Sequence, residues 1–155
     1  MAKVVFVIAP KDFRDEELFH TKEEIEKAGH STLIVSTKKG ECIGMLGGKA
    51  KAEKTINEIN EEDFNAIVFV GGIGADIYFN NTTAQKLAKN FFNKGKIVAA
   101  ICIAPSTLAN SGILKGKKAT CFSSESENLK SKGAIYTGKK VEIDGNIITA
   151  NGPEA

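Results

Sequence analysis

The side chain best placed to do chemistry in this sequence is Cys102. It follows the apolar run Ile97-Val98-Ala99-Ala100-Ile101 directly and precedes Ile103-Ala104-Pro105, where proline opens a helix at a position that needs no N–H. A strand that passes into a helix with almost no loop forces its central residue into a strained conformation and aims the side chain outward, as in a nucleophile elbow. Free N–H groups in the following turn favour thiolate over thiol. Position alone also fits a small buried apolar cysteine. Cys42 and Cys121 sit at no such junction and read as inert. Gly71-Gly72-Ile73-Gly74 ends another apolar run and lets backbone N–H groups approach an anion, so it is a candidate oxyanion hole beside Cys102. No G-x-x-x-x-G-K-[ST] pattern accompanies these glycines, which argues against a nucleotide phosphate loop. Glu16 and Glu17 open the first helix, where acids ordinarily serve the helix dipole. His20 lies three residues after Glu17 and shares its helix face. His30, in the connector Ala28-Gly29-His30, reads as structural.

The elements that must hold these residues follow from hydrophobic patterning. Short β-branched or apolar runs alternate with helix-period segments, which predicts an α/β fold with a mostly parallel sheet and helices on both faces. Strands are expected at Val4–Ala9, Ser31–Ser36, Ala66–Val70 and Ile97–Ile101. Asp15 is read as the cap of a helix from about Glu16 to Ala28 that stops at Gly29. Thr37 to Lys54, rich in Gly and Lys, is read as short hairpin strands at the sheet edge. Further helices are expected from about Thr83 to Asn93 and from Pro105 to Ser111, with a helical turn near Glu125 to Lys132. Asp144-Gly145 supplies a tight turn between Val141–Ile143 and Asn146–Thr149. There is no repeat or linker, so residues 1–155 are read as one domain. In such sheets ligands bind beyond the carboxyl ends of the strands, where Glu17, Gly72 and Cys102 all fall.

Composition narrows the possible partners. With 21 Lys+Arg against 19 Asp+Glu the formal net charge is +2, too small to imply nucleic acid or an anionic membrane. No apolar run approaches the ~20 residues of a membrane span. The sequence enters its first strand without a hydrophobic leader, and its three cysteines are an odd number, so a cytoplasmic protein with free thiols is expected. Only two histidines are present, which disfavours most zinc sites, and neither a metal nor a cofactor is expected.

Taken together, the chain resembles the DJ-one/PfpI superfamily of flavodoxin-like cysteine proteins. The resemblance runs from end to end. It rests on Phe13-Arg14-Asp15-Glu16-Glu17-Leu18, Glu26-Lys27-Ala28-Gly29-His30, Val68-Phe69-Val70-Gly71-Gly72 and Val98-Ala99-Ala100-Ile101-Cys102-Ile103-Ala104-Pro105. It continues through Gly112–Thr120, Asp144-Gly145-Asn146 and Thr149-Ala150-Asn151-Gly152-Pro153. It implies a three-layer sandwich, Cys102 as the reactive elbow cysteine, Glu17 as a buried acid pointing at its sulfur, and a homodimer or higher oligomer with the site near the subunit interface. It also implies a final helix, of which Gly152-Pro153-Glu154-Ala155 looks like the opening. The departures are specific. Ile103 stands where peptidase-like relatives carry His, and Phe122 stands where relatives with glyoxalase or deglycase activity keep theirs. Asp76 falls near the place of an acid donated by a neighbouring subunit, with no imidazole to orient.

The leading expectation is therefore a cysteine-dependent stress-protection protein acting on small reactive carbonyls or their adducts. Cys102 would be the nucleophile, the Gly72 and Ile103 N–H groups the oxyanion donors, and Glu17 the proton carrier, with His20 as an outside candidate. The alternative is a non-enzymatic redox sensor or chaperone working through oxidation of Cys102. An intracellular cysteine peptidase ranks third, because Ile103 removes its base.

Overall fold

A computed structural model describes residues 2–155. The chain forms β1 (Lys3–Val7), β2 (Lys11–Phe13), α1 (Asp15–Lys27), β3 (Ser31–Ser36), β4 (Gly40–Gly44), β5 (Lys49–Ala52) and β6 (Lys54–Thr55). It continues through β7 (Ala66–Phe69), α2 (Thr82–Asn93), β8 (Ile97–Ile101), α3 (Pro105–Ser111), β9 (Lys118–Ala119) and α4 (Ser126–Ser131). The last elements are β10 (Ile135–Tyr136), β11 (Val141–Asp144) and β12 (Ile147–Ala150).

Seven strands build the central sheet in the order β11-β12-β8-β7-β1-β3-β6. All neighbours run parallel except β11 and β12, the hairpin turned by Asp144-Gly145. Successive side chains of a strand point to opposite faces, so each apolar strand feeds two cores. Val5, Val7, Ile67, Phe69, Val98 and Ala100 face one core with Leu87, Phe91 and Leu108, whereas Val4, Phe6, Ile8, Ala66, Val68 and Val70 face the other with Leu18 of α1. The result is a flavodoxin-like α/β sandwich of helices on a mostly parallel sheet. From β1 the chain crosses to β3 on one side, and later returns to β7 on the other. Their carboxyl ends therefore diverge around a crevice, next to the end of β8.

Two local expectations are corrected. Asp15 does not cap α1. Arg14 occupies the cap position without a side-chain bond, and Asp15 lies in the first turn. Its carboxylate instead accepts the N–H groups of Leu46 at 2.8 Å and Gly48 at 2.7 Å, in the turn between β4 and β5. Those donors offer a buried acid two bonds, more than a cap would. Nor do β4 and β5 extend the central sheet. They pair with β2 in a separate three-stranded sheet of order β2-β4-β5, while β6 forms the edge. Gly152 to Ala155 makes a turn closed by the Ala155 N–H on the Gly152 carbonyl at 3.1 Å.

Candidate functional site

β8 ends at Ile101 and α3 starts at Pro105, and the turn between them holds Cys102 at φ +63°. A non-glycine residue is rarely found there, and persists only where its surroundings hold it. They do so here: the Cys102 N–H donates to the Ala150 carbonyl at 2.9 Å, and the Cys102 carbonyl accepts the Phe122 N–H at 2.7 Å. The cysteine is thus pinned between β12 and the segment after β9, with its thiol half-buried. Cys42 and Cys121 are each 1% exposed, and burial first, then the charges of Glu125 and Cys102, push the Cys121 thiol up to about 12.

Glu17 comes to the same place from the first turn of α1. It is 3% exposed, and its Oε1 accepts the Gly71 N–H at 2.9 Å. Its Oε2 is buried with no hydrogen-bond partner. Burial pushes this carboxyl up to about 7, against the smaller opposing pulls of the Gly71 N–H and Arg14. The acid therefore titrates near neutral pH, where an ordinary glutamate is already ionised. Between the acid and the cysteine only glycine fits. A Cβ on Gly71 would stand 2.5 Å from Glu17 Oε1, 2.5 Å from the Ile101 carbonyl and 2.6 Å from Cys102 Cβ. Gly72 sits at φ +101°, packed against the backbone of Asp12 to Arg14, and the Arg14 N–H donates to the Gly71 carbonyl at 2.9 Å.

The thiol of Cys102 is raised from its ordinary range by burial and then by the charge of Glu17. The Gly72 and Ile103 N–H groups and Arg14 pull it the other way. The sequence reading expected the helix N-terminus to favour thiolate. In the folded chain desolvation and a neighbouring carboxylate outweigh that pull whenever Glu17 is ionised.

These groups open onto a cavity of about 570 Å³. Arg14, Glu17, Gly72, Asp76, Cys102, Ile103 and Phe122 line it, so six of the residues singled out in the sequence share one space with Arg14. His20 is not among the lining residues. It is exposed on α1. His30 accepts the Ala2 N–H through Nδ1 at 2.9 Å, a structural bond at the far edge. No histidine lines the cavity, and no cluster of metal-ligating residues occurs among the described residues. Sequence reasoning missed Met45, Phe79, Ser124, Glu125 and Pro153, which also line it. Met45 arrives through the turn that Asp15 holds, and its Sδ accepts the Ile73 N–H at 3.4 Å. No local signal marks it.

Comparison with known proteins agrees with the architecture. The model of the DJ-1/PfpI family matches residues 2–155. An uncharacterized protein of Methanocaldococcus jannaschii is 54% identical over 99% of this chain and 76% of its own length. The deglycase PfpI of Pyrococcus furiosus is 32% identical over 97% of this chain and 90% of its own. Among solved structures, a ThiJ/PfpI domain protein from Brachyspira murdochii superimposes with a TM-score of 0.96 at 36% identity, covering 98% of this chain and 88% of that one. With a family match over the whole described chain and a shared fold, this chain belongs to the DJ-1/PfpI family.

Proposed function

We propose that the chain is a cysteine-dependent stress-protection enzyme of the deglycase or glyoxalase kind, acting on small reactive carbonyls or their adducts. One observation carries this reading: Cys102, held at φ +63°, shares a cavity with a buried acid whose second oxygen has no partner, and neither His20 nor His30 lines that cavity. A proton on Glu17 removes the second of the two influences, after burial, that raise the thiol; the thiol proton leaves to solvent, and the Glu17 O–H serves as a donor to the thiolate. Sulfur then attacks the carbonyl carbon. A C–S bond forms, the π electron pair moves to oxygen, and the Gly72 and Ile103 N–H groups stabilise the oxyanion. Glu17 delivers its proton to that oxygen to give the hemithioacetal; as a carboxylate it then takes the C–H proton from the carbon bound to sulfur and returns it to the neighbouring carbon, and water hydrolyses the resulting thioester to a 2-hydroxy acid, releasing the Cys102 thiol. The deglycase name of the Pyrococcus furiosus relative supports the substrate class. Free thiols support a reducing cytoplasmic setting, and the homodimer implied by the family resemblance belongs to the same reading. Purified protein is expected to consume methylglyoxal and Cys102→Ala to lose that activity. Equal turnover by the two proteins refutes the reading.

A second reading rests on exposure. Cys102 is the one cysteine of three that is not fully buried, and an unpartnered Glu17 Oε2 suits a hydrogen bond to a sulfinate oxygen. In that case peroxide oxidises Cys102 first, to sulfenic and then sulfinic acid, each step reducing one equivalent of peroxide to water. Intact-mass analysis after mild peroxide treatment tests this reading: a sensor gains oxygen at Cys102, and a lack of oxygen adducts there refutes it.

A further inference from the structure

Arg14 is the single cation that lines the cavity, and neither the attack at sulfur nor the proton transfers use it. Its backbone is fixed to the site. Arg14 directly precedes α1, its N–H donates to the Gly71 carbonyl at 2.9 Å, and its carbonyl accepts the Leu18 N–H at 3.3 Å. The side chain therefore leaves from a point bonded to the same turn that offers the Gly72 N–H to an oxyanion. Glu16 then sets the guanidinium: its Oε1 accepts Nε and its Oε2 accepts Nη2, both at 2.9 Å. Glu16 is not among the lining residues, so it holds the guanidinium from outside the cavity. A guanidinium has more donors than one carboxylate can use. Glu16 takes the side edge, and among the described residues Nη1 makes no hydrogen bond. The end edge, Nη1 with the second N–H of Nη2, is left as a parallel fork of the kind that fits a carboxylate.

The rest of the cavity suits a ligand that reaches from the sulfur to that fork. At about 570 Å³ it is far larger than a three-carbon aldehyde needs. Met45, Ile73, Phe79 and Phe122 give it apolar walls for a hydrocarbon tail, and a low local dielectric strengthens a charge pair at the end of that tail. The acids on the other walls are each answered in another way. Glu125 Oε1 accepts the Ser106 hydroxyl at 2.6 Å and its Oε2 the Ser124 hydroxyl at 3.1 Å. Asp76 is exposed, where water and salt screen it. Glu17 is neutral in the form that gives its proton to the oxyanion.

From this arrangement we infer that Arg14 is a specificity residue whose free fork binds a carboxylate at the far end of the substrate, so that the preferred substrates are 2-oxoaldehydes whose carbon chain ends in an acid group. The inference deepens the carbonyl reading above and rests on it for the reacting end. Sulfur adds to the aldehyde carbon, the C–H proton passes to the neighbouring carbon, and hydrolysis of the thioester gives a 2-hydroxy diacid. The aldehyde carbon is oxidised and the adjacent ketone reduced, with one water consumed and one proton released, so no outside oxidant enters. The terminal carboxylate takes no part in these steps. An acid group directly on the aldehyde carbon would leave no neighbouring ketone to receive the proton, so a spacer between the two ends is required.

Binding to the full-length Cys102→Ala protein tests the recognition without turnover. Levulinate, a methyl ketone with a carboxylate at the end of its chain, is titrated by NMR against levulinamide, which keeps the shape and removes the charge. The acid is expected to bind about tenfold more tightly, the scale of one bidentate charge-assisted pair. Arg14→Gln on that background abolishes the preference, and Arg14→Lys, which keeps the charge and loses the fork, retains part of it. Equal affinities for acid and amide, no saturable binding of the acid, or a preference undiminished in Arg14→Gln each overturn the inference. With Cys102 present, the KM for 4,5-dioxopentanoate is compared with that for 2-oxopentanal, its uncharged counterpart. Arg14→Gln is expected to raise the ratio of the two by about tenfold, since any effect on the thiol falls on both aldehydes and cancels. An unchanged ratio overturns the inference. A chain that turns over neither aldehyde yet prefers the acid to the amide refutes the carbonyl reading and leaves the recognition standing.

Discussion

Replacing Glu17 by Gln makes the buried acid visible as stability. An acid raised from 4.5 to about 7 in the folded chain binds a proton more tightly there than in the unfolded chain. Its stabilising contribution is therefore fully present below the unfolded value, falls as pH rises from about 4.5 to about 7, and is gone above. A displacement of that size corresponds to about 3 kcal/mol, an order-of-magnitude figure for a side chain this deeply buried. Gln has the same shape, keeps an acceptor for the Gly71 N–H bond now made at 2.9 Å, and does not ionise. Urea denaturation of both proteins at pH 5 and pH 8 isolates the effect, because the other titrating groups are common to the two. The variant should be nearly as stable as wild type at pH 5 and about 3 kcal/mol more stable at pH 8. A stability difference that stays constant across this range refutes the assignment of a proton to Glu17.

Two further substitutions probe the frame around the site. Gly71→Ala places a Cβ at 2.5 Å from Glu17 Oε1 and from the Ile101 carbonyl, and should cost about 3 kcal/mol in urea denaturation, with loss of methylglyoxal turnover. Asp15→Ala strips the acceptor from two backbone donors, Leu46 and Gly48, and should cost about 2–4 kcal/mol, with hydrogen exchange at those two amides accelerated most.

Much of this was legible in the sequence because a central strand buried on both faces leaves an unbroken apolar run such as Ala66–Phe69, and Ile97–Ile101 is equally apolar although only Val98 and Ala100 are fully covered. Cys102 was legible for the same reason, as the polar punctuation between such a run and a proline. Glu17 was visible only through family resemblance. Its burial depends on Gly71, which lies 54 residues away in sequence and which α1 meets only after folding. The separate sheet of β2, β4 and β5 escaped because its organising bonds start from Asp15, whose place before a helix suggests a cap. Glu125 carries no pattern at all: in a serine-rich stretch of the sequence it reads as solvent-facing charge, whereas in the fold it is partly buried over Ser106 of α3.

Asp15 and Glu17, two of the three acids in the first turn of α1, tie separate parts of the molecule to one rigid rod. Asp15 grips the β4–β5 turn that brings Met45 to the cavity, and Glu17, two residues on, reaches Gly71 beneath the sulfur. A loop exchanged between relatives across β4 and β5 would thus need its own fit to Asp15, or the helix would tilt and carry the proton-holding group with it. The small sheet is consequently a poor target for grafting and a good one for remote tuning: lengthening that turn by a residue should alter the acidity of a carboxyl to which it makes no hydrogen bond.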